Sequence, residues 1–463
     1  MSKWNTTPNC WLEAPPMGWN SWDAYGASVT EDEVMSNAAF MQKNLLAYGW
    51  DTVIVDIQWS EPKATGWDYH DYAELCLDHY GRQLPASNRF PTAQGTIGFK
   101  TLAVEIHRMG LKFGVHLMRG IPRQAVAHNL PILGTSYTAR DIVDKRSICA
   151  WNTDMYGLNT SHPGAQAYYD SVFDLFATWG VDYVKVDDIA WNAFAPSNYP
   201  EKEVELIHRA IAKTQRPMFL SLSPGPADQR HRTHFHHYAN SWRITDDFWD
   251  KWDLVQRCLD AAENWSGESG RGSWPDADML PLGRLRMRLK EPDGAMGEGS
   301  KLTSDESQLV FSLWCLFRSP LMLGADLPGT SAEMLSIFRQ TQFLEWSQCG
   351  SASSLLTPPK SNLMIWSQEL PLPREPMVRN GVAAGPKADV GERYPILLVN
   401  RSHEELELNV DDILAKHWPL AHKIEAWYLL DPLDLSNYSW EKNPIGTFQM
   451  RPHSSLGFVM CVS

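Results

Sequence analysis

Tyr183-Val184-Lys185-Val186-Asp187-Asp188 has the residues of a short strand that ends in acid. Side chains alternate along a strand, so Val184 and Val186 share one face while Lys185 and Asp187 share the other. Further along, Trp242-Arg243-Ile244-Thr245-Asp246-Asp247 repeats the arrangement: a brief β run that delivers a carboxylate at its C-terminal end beside a cation. In a barrel of parallel strands that end is where active sites are built, and two facing carboxylates are the equipment of glycoside hydrolysis.

Working outward from these two segments, short apolar runs alternate with stretches of helical period. The strand candidates are Met17–Trp22, Thr52–Trp59, Phe113–Met118, Tyr183–Asp188, Met218–Ser223, Ser241–Asp246, Ala277–Leu280 and Leu321–Ala325. Between them, Glu33–Tyr48, Phe99–Met109, Ala165–Trp179 and Glu203–Thr214 carry apolar residues three and four apart. The alternation predicts an α/β fold, a (β/α)₈ TIM barrel over residues 1–346. The insert Ile121–Pro163 exceeds ordinary loop length and is expected to shape the barrel mouth. Arg119 and Arg123 start it, where they either touch an extended substrate or are held in salt bridges. From residue 347 to 463 the pattern changes to alternating runs (Asn362–Trp366, Tyr394–Val399, Glu405–Val410, Ile424–Leu430, Leu456–Val459), which predicts a C-terminal antiparallel β-sandwich domain. Within it the segment Leu370–Gly391, rich in Pro, Gly and charge, reads as a mobile loop.

The balance of 41 basic against 55 acidic residues gives −14, which disfavours nucleic acid and anionic membranes as partners. Seven scattered cysteines without a CxxC pair read as free thiols of a reducing compartment. With no signal pattern and no apolar run of about 18 residues, the expected location is the cytoplasm. The 21 tryptophans suit the C–H faces of sugar rings, although burial is the commonest use of an indole. His231, His234, His236 and His237 lack the spacing of a zinc helix and are read as structural, so no metal is expected.

A sugar acetal departs through a cationic transition state, so one carboxylate must attack or stabilise C1 and one acid must protonate the leaving oxygen. Asp187, beside Lys185, is expected to stay ionised as the nucleophile. Asp247 stands near Asp246 and Asp250, whose repulsion would raise a pKa and suit an acid/base. Asp188 and Asp246 alternate to the other face and are expected to point away.

Pro15-Pro16-Met17-Gly18-Trp19-Asn20-Ser21-Trp22 resembles the opening strand of glycoside hydrolase family 27, the α-galactosidase (melibiase) family. In order, Lys185-Val186-Asp187 is similar to its K-x-D motif, Arg243–Asp247 to R-x-x-x-D, Trp274-Pro275-Asp276-Ala277-Asp278-Met279-Leu280 to W-N-D-P-D-M-L, and Ser319–Asp326 to its eighth strand. The resemblance implies a retaining mechanism without metal or organic cofactor, an oligosaccharide or glycoside as substrate, and a homo-oligomer. It also implies roles: Asp187 nucleophile, Asp247 acid/base, Trp22 a platform under the sugar, Lys185 and Arg243 binding ring hydroxyls, Asp278 near the acid/base, and Asp56 holding the 4- and 6-hydroxyls.

This chain departs from the family on one wall. Ile57 stands where a second acid usually reads the 4- and 6-hydroxyls, His116 where a tyrosine is usual, Met118 for an acid and Ile189 for a cysteine, while Ser223 sits where the 2-position is read. The expected function is a retaining, exo-acting glycoside hydrolase of α-galactosidase type. Isomaltodextranase, α-N-acetylgalactosaminidase and β-L-arabinopyranosidase specificities remain open, as does a non-catalytic carbohydrate-binding protein. His116, Arg119 and Trp151 are expected to line the altered wall.

Overall fold

The computed structural model describes residues 12–195, 199–270, 272–290, 296–370, 392–430, 441–442 and 444–462. The Pro- and Gly-rich segment at 371–391 lies outside the described residues. Eight parallel strands form one curled sheet: β1 (Met17–Asn20), β2 (Thr52–Val55), β3 (Lys112–Met118), β4 (Tyr183–Asp187), β5 (Phe219–Leu222), β6 (Ser241–Arg243), β7 (Trp274–Asp276) and β8 (Leu321–Leu323). β8 pairs in parallel with β1, and a parallel bridge between Leu280 and Leu323, with the Leu280 amide on the Met322 carbonyl at 2.8 Å, joins the two ends.

The seventh strand lies earlier than the apolar run Ala277–Leu280 predicts. Asp278 has φ +82, a left-handed conformation that extended backbone does not contain, so the strand stops at Asp276 and resumes as a single bridge at Leu280. Asp188, at φ +58, ends β4 in the same way and turns the chain over the barrel mouth.

The surrounding helices carry their own punctuation. Glu31–Asn44 opens on a capping box between Thr30 and Glu33, and Ser304–Phe317 on one between Thr303 and Glu306. Pro163–Trp179 has proline in its first turn and ends at Gly180 with φ +86, the asymmetry that the two residues' backbones favour. The insert after β3 is ordered: Ile121–Pro122, Val143–Ile148 and Met155–Leu158 form a small antiparallel sheet beside the mouth.

The helix Thr341–Cys349 runs through residue 346, where a break was expected, and leads into a five-stranded antiparallel sheet. That sheet buries both faces, which is why its strands are apolar at successive positions. Met364, Trp366, Leu397 and Val399 join the core that extends from the barrel, whereas Ile365, Ile396 and Leu398 pack with Val410 and Leu414 of the helix Val410–His417. A side chain at Gly457 would meet Trp346 at 3.0 Å, so glycine lets the sheet lie directly on the helix Thr341–Cys349. Among the described residues no helix is long and apolar enough to cross a membrane.

Candidate active site

The C-terminal ends of the strands open into a pocket of about 340 Å³, within the range of ligand sites. Its register explains its composition. β3 and β4 pair His116 with Lys185 and Met118 with Asp187, and β6 and β7 pair Arg243 with Asp276, so alternate inward positions deliver charge to one level. Lys185 lies with its Nζ 3.0 Å from Asp56 Oδ2 and 3.8 Å from Asp187 Oδ2. Asp56 is further tied by Asn20, whose amide donates to Oδ2 at 2.6 Å, and by the Ile57 amide, which donates to Oδ1 at 2.9 Å.

Asp187 is 6% exposed. Burial alone would push its carboxyl up, but Lys185, then His116 and Arg243, outweigh that and hold it well below the usual range. These neighbours favour its charged form. Asp56 is lowered by the same contest, burial opposed by Lys185, His116 and Asn20. Lys185 is raised: burial opposes its charge, but Asp56 and Asp187 dominate.

On the opposite side, Arg243 is 3% exposed and bridges two acids, Nη1 at 2.7 Å from Asp278 Oδ1 and Nη2 at 3.0 Å from Asp247 Oδ1. Asp247 has an open side chain at the rim, while Asp278 is enclosed and takes the Phe248 amide on Oδ2 at 2.8 Å. Burial, only partly opposed by Arg243, raises Asp278. Asp250, which the sequence places near Asp247, is paired elsewhere. It is closed off by the Arg286 guanidinium and by the Lys301 amide at 2.8 Å, which hold it ionised against burial. Asp246 does not turn away either: it borders the pocket and accepts the Asp247 amide at 2.9 Å.

Of the residues expected in the site, Trp22, Asp56, Ile57, Lys185, Asp187, Arg243, Asp247 and Asp278 line the one pocket. His116 does not face it. The ring is 2% exposed and lies behind Asp187, Nε2 to Oδ2 at 3.1 Å, so it positions the carboxylate instead of touching a ligand. Ser223 is also displaced, bordering a small chamber beneath the pocket with Ser221 and Tyr183, while Pro224 and Gly225 form the wall. Gly225 is required there, because a Cβ would lie 2.1 Å from the Thr245 carbonyl oxygen. Arg119 is fully engaged with Asp188 at 2.9 Å and Glu203 at 3.2 Å, and Arg123 covers the Tyr156 ring at 4.5 Å. Trp151 alone of the insert residues singled out reaches the pocket.

The altered wall is apolar. Ile57, Met118, Cys149 and Met155 pack together, with Trp22, Tyr69 and Trp151 against them. Trp22 and Tyr69 stack with ring centroids 6.0 Å apart, and Trp249 closes the far side beside Phe248. Sequence reasoning missed Asp23, Tyr69, Trp191 and Trp249. Asp23 and Trp249 adjoin recognised motifs, which is a usable signal, whereas Tyr69 comes from the long β2 loop and has none. His231, His234 and His236 are engaged elsewhere, His231 with Glu201 at 2.7 Å, His234 with the Tyr199 hydroxyl at 2.8 Å and His236 with Ser273 at 2.8 Å.

A family model described as alpha galactosidase A matches residues 154–348. Alpha-galactosidase 3 of Arabidopsis thaliana is 28% identical over 335 residues, 72% of this chain and 60% of that protein; the match thus spans about three fifths of that relative. A glycoside hydrolase family 27 β-L-arabinopyranosidase from Geobacillus stearothermophilus, solved with arabinose, is 40% identical with a TM-score of 0.86, each chain covered in full. A proposed α-N-acetylgalactosaminidase from Bacillus halodurans is 39% identical with a TM-score of 0.78, covering 98% of this chain and 100% of its own.

Proposed function

The chain belongs to glycoside hydrolase family 27, and on that premise we propose that it is a retaining, exo-acting glycosidase whose preferred glycone is β-L-arabinopyranose. That sugar has the hydroxyl configuration of α-galactopyranose and lacks the C6 hydroxymethyl group. The observation that carries the reading is Ile57, adjoining Asp56 in a wall completed by Met118, Cys149 and Met155. Asp56 and Lys185 supply polar partners for ring hydroxyls, but the Ile57, Met118 and Met155 side chains beside them carry no oxygen or nitrogen to accept from a C6 hydroxyl, and a hydroxyl desolvated without a partner costs affinity. A pentopyranose has nothing to lose there. The similar β-L-arabinopyranosidase supports the same assignment.

In this reading Asp187 attacks the anomeric carbon while Asp247, open at the rim, gives its proton to the departing oxygen and then takes one from water. Lys185 and His116 keep the nucleophile charged and aimed, and Arg243 fixes the acid/base relative to Asp278. The test is a panel of aryl β-L-arabinopyranoside, α-galactoside, α-N-acetylgalactosaminide and α-glucoside, with the anomer first released followed by proton NMR. Preference for the α-galactoside would sink the pentose assignment, and an inverted first product would sink the double displacement.

A further inference from the structure

Asp23 follows Trp22 in the four-residue helix Trp22–Tyr25, borders the pocket and is 1% exposed. Its carboxyl occupies the space a side chain would take at position 324: a Cβ on Gly324 would lie 2.0 Å from Oδ2. Glycine at that position thus makes room for the acid. Oδ2 is enclosed and has no hydrogen-bond partner among the described residues.

The cations around it are committed. Lys185 stands between Asp56 and Asp187, Arg243 between Asp247 and Asp278, and Arg286 binds Asp250 and, at 2.7 Å, Glu298. Of the charged groups that act on Asp23, Lys185 favours its ionised form, but the acids Asp278, Asp247 and Asp56 oppose it. An ionised Asp23 would be an unpaired buried charge among like charges, which a protein avoids by keeping the proton. Burial first, then Asp278, drive its pKa well above the ordinary carboxylate range. A neutral carboxylic acid carries one O–H donor, and a buried donor without an acceptor is costly.

We propose that Asp23 is a sugar-binding residue that works as a neutral acid, its O–H donating a hydrogen bond to an oxygen of the glycone. The proposal rests on the glycosidase reading, and it adds a donor to a floor otherwise built from ion pairs. Ionised Asp56 can only accept from a sugar hydroxyl, whereas Asp23 fixes a sugar oxygen by its lone pair, so the two constrain the ring in opposite senses.

Two measurements test it on the full chain. In the sugar-free state at neutral pH, the infrared difference spectrum of wild type minus Asp23→Asn should contain a carboxylic-acid carbonyl band, distinct from that of other raised acids such as Asp278, that shifts when L-arabinose is added. By calorimetry, Asp23→Asn, which keeps a donor, should weaken L-arabinose binding about threefold, and Asp23→Ala about tenfold or more. Absence of the band in wild type overturns the proposal whether or not the alanine variant folds. So does equal weakening by both substitutions, or wild-type affinity in Asp23→Ala. A wild type that shows the band yet binds neither L-arabinose nor D-galactose overturns the glycosidase reading instead.

Discussion

Replacing Ile57 by aspartate tests what the apolar wall does. The substitution puts a carboxyl among Met118, Cys149 and Met155, one residue from Asp56. A charged hydrogen bond to a C6 hydroxyl is worth about 1.5–3 kcal/mol, so the galactoside should gain by roughly 10- to 150-fold. The protein loses burial of the isoleucine, about 1.5–3 kcal/mol of stability, and places a second acid beside Asp56. Both penalties act on every substrate alike and cancel in a ratio. The quantity to measure is therefore kcat/KM for an aryl α-galactoside divided by that for the aryl β-L-arabinopyranoside, in wild type and Ile57→Asp. The ratio should rise by about one to two orders of magnitude, mostly through the galactoside. Ile57→Ala, which opens space without an acceptor, should raise it less. An unchanged or falling ratio in Ile57→Asp would show that this wall does not meet the C5 substituent.

Asp187→Ala should abolish turnover, and added azide should restore a product of inverted configuration; near-normal activity would remove Asp187 from the chemistry. Asp247→Ala should spare nitrophenyl glycosides, whose leaving groups need little protonation, far more than natural ones, and equal losses would argue against the acid/base role. Arg119→Met leaves Asp188 and Glu203 buried without their common cation and should cost about 3–5 kcal/mol in unfolding, where a loss under about 1 kcal/mol would contradict the ion-pair reading. Asp154, pushed by burial from 3.8 to about 6 although Gln58 and Asn152 donate to it, binds its proton more tightly folded than unfolded. Its contribution to stability is thus present below about pH 4 and lost as pH rises through about 6. Thermal midpoints between those values should fall less steeply in Asp154→Asn than in wild type, and parallel slopes would refute the assignment.

Much of this was legible in the chain itself. Alternation put Lys185 and Asp187 on one strand face, and the structure aims both into the pocket. The same rule failed beyond the strand ends: Asp246 borders the pocket because β6 stops at Arg243, and past that residue turn geometry, not pleat, sets direction. The apolar run at 277–280 misplaced the seventh strand because periodicity carries no information about the positive φ of Asp278.

What the sequence by itself determined was the order of strands and helices and the placing of Asp187 and Asp247 at strand ends, while its family resemblance marked Ile57 and Met118 as positions where an expected acid is gone. These depend on local period and residue type, which a chain displays without folding. Only the tertiary structure decided that His116 backs Asp187, that Ser223 lies beneath the floor, that Arg119 is consumed by Asp188 and Glu203, and that Asp23 Oδ2 is enclosed without a hydrogen-bond partner among the described residues. Each of these turns on which charges separate elements bring together and which of them water can still reach, and a buried group's charge is set by that company, not by its neighbours in sequence.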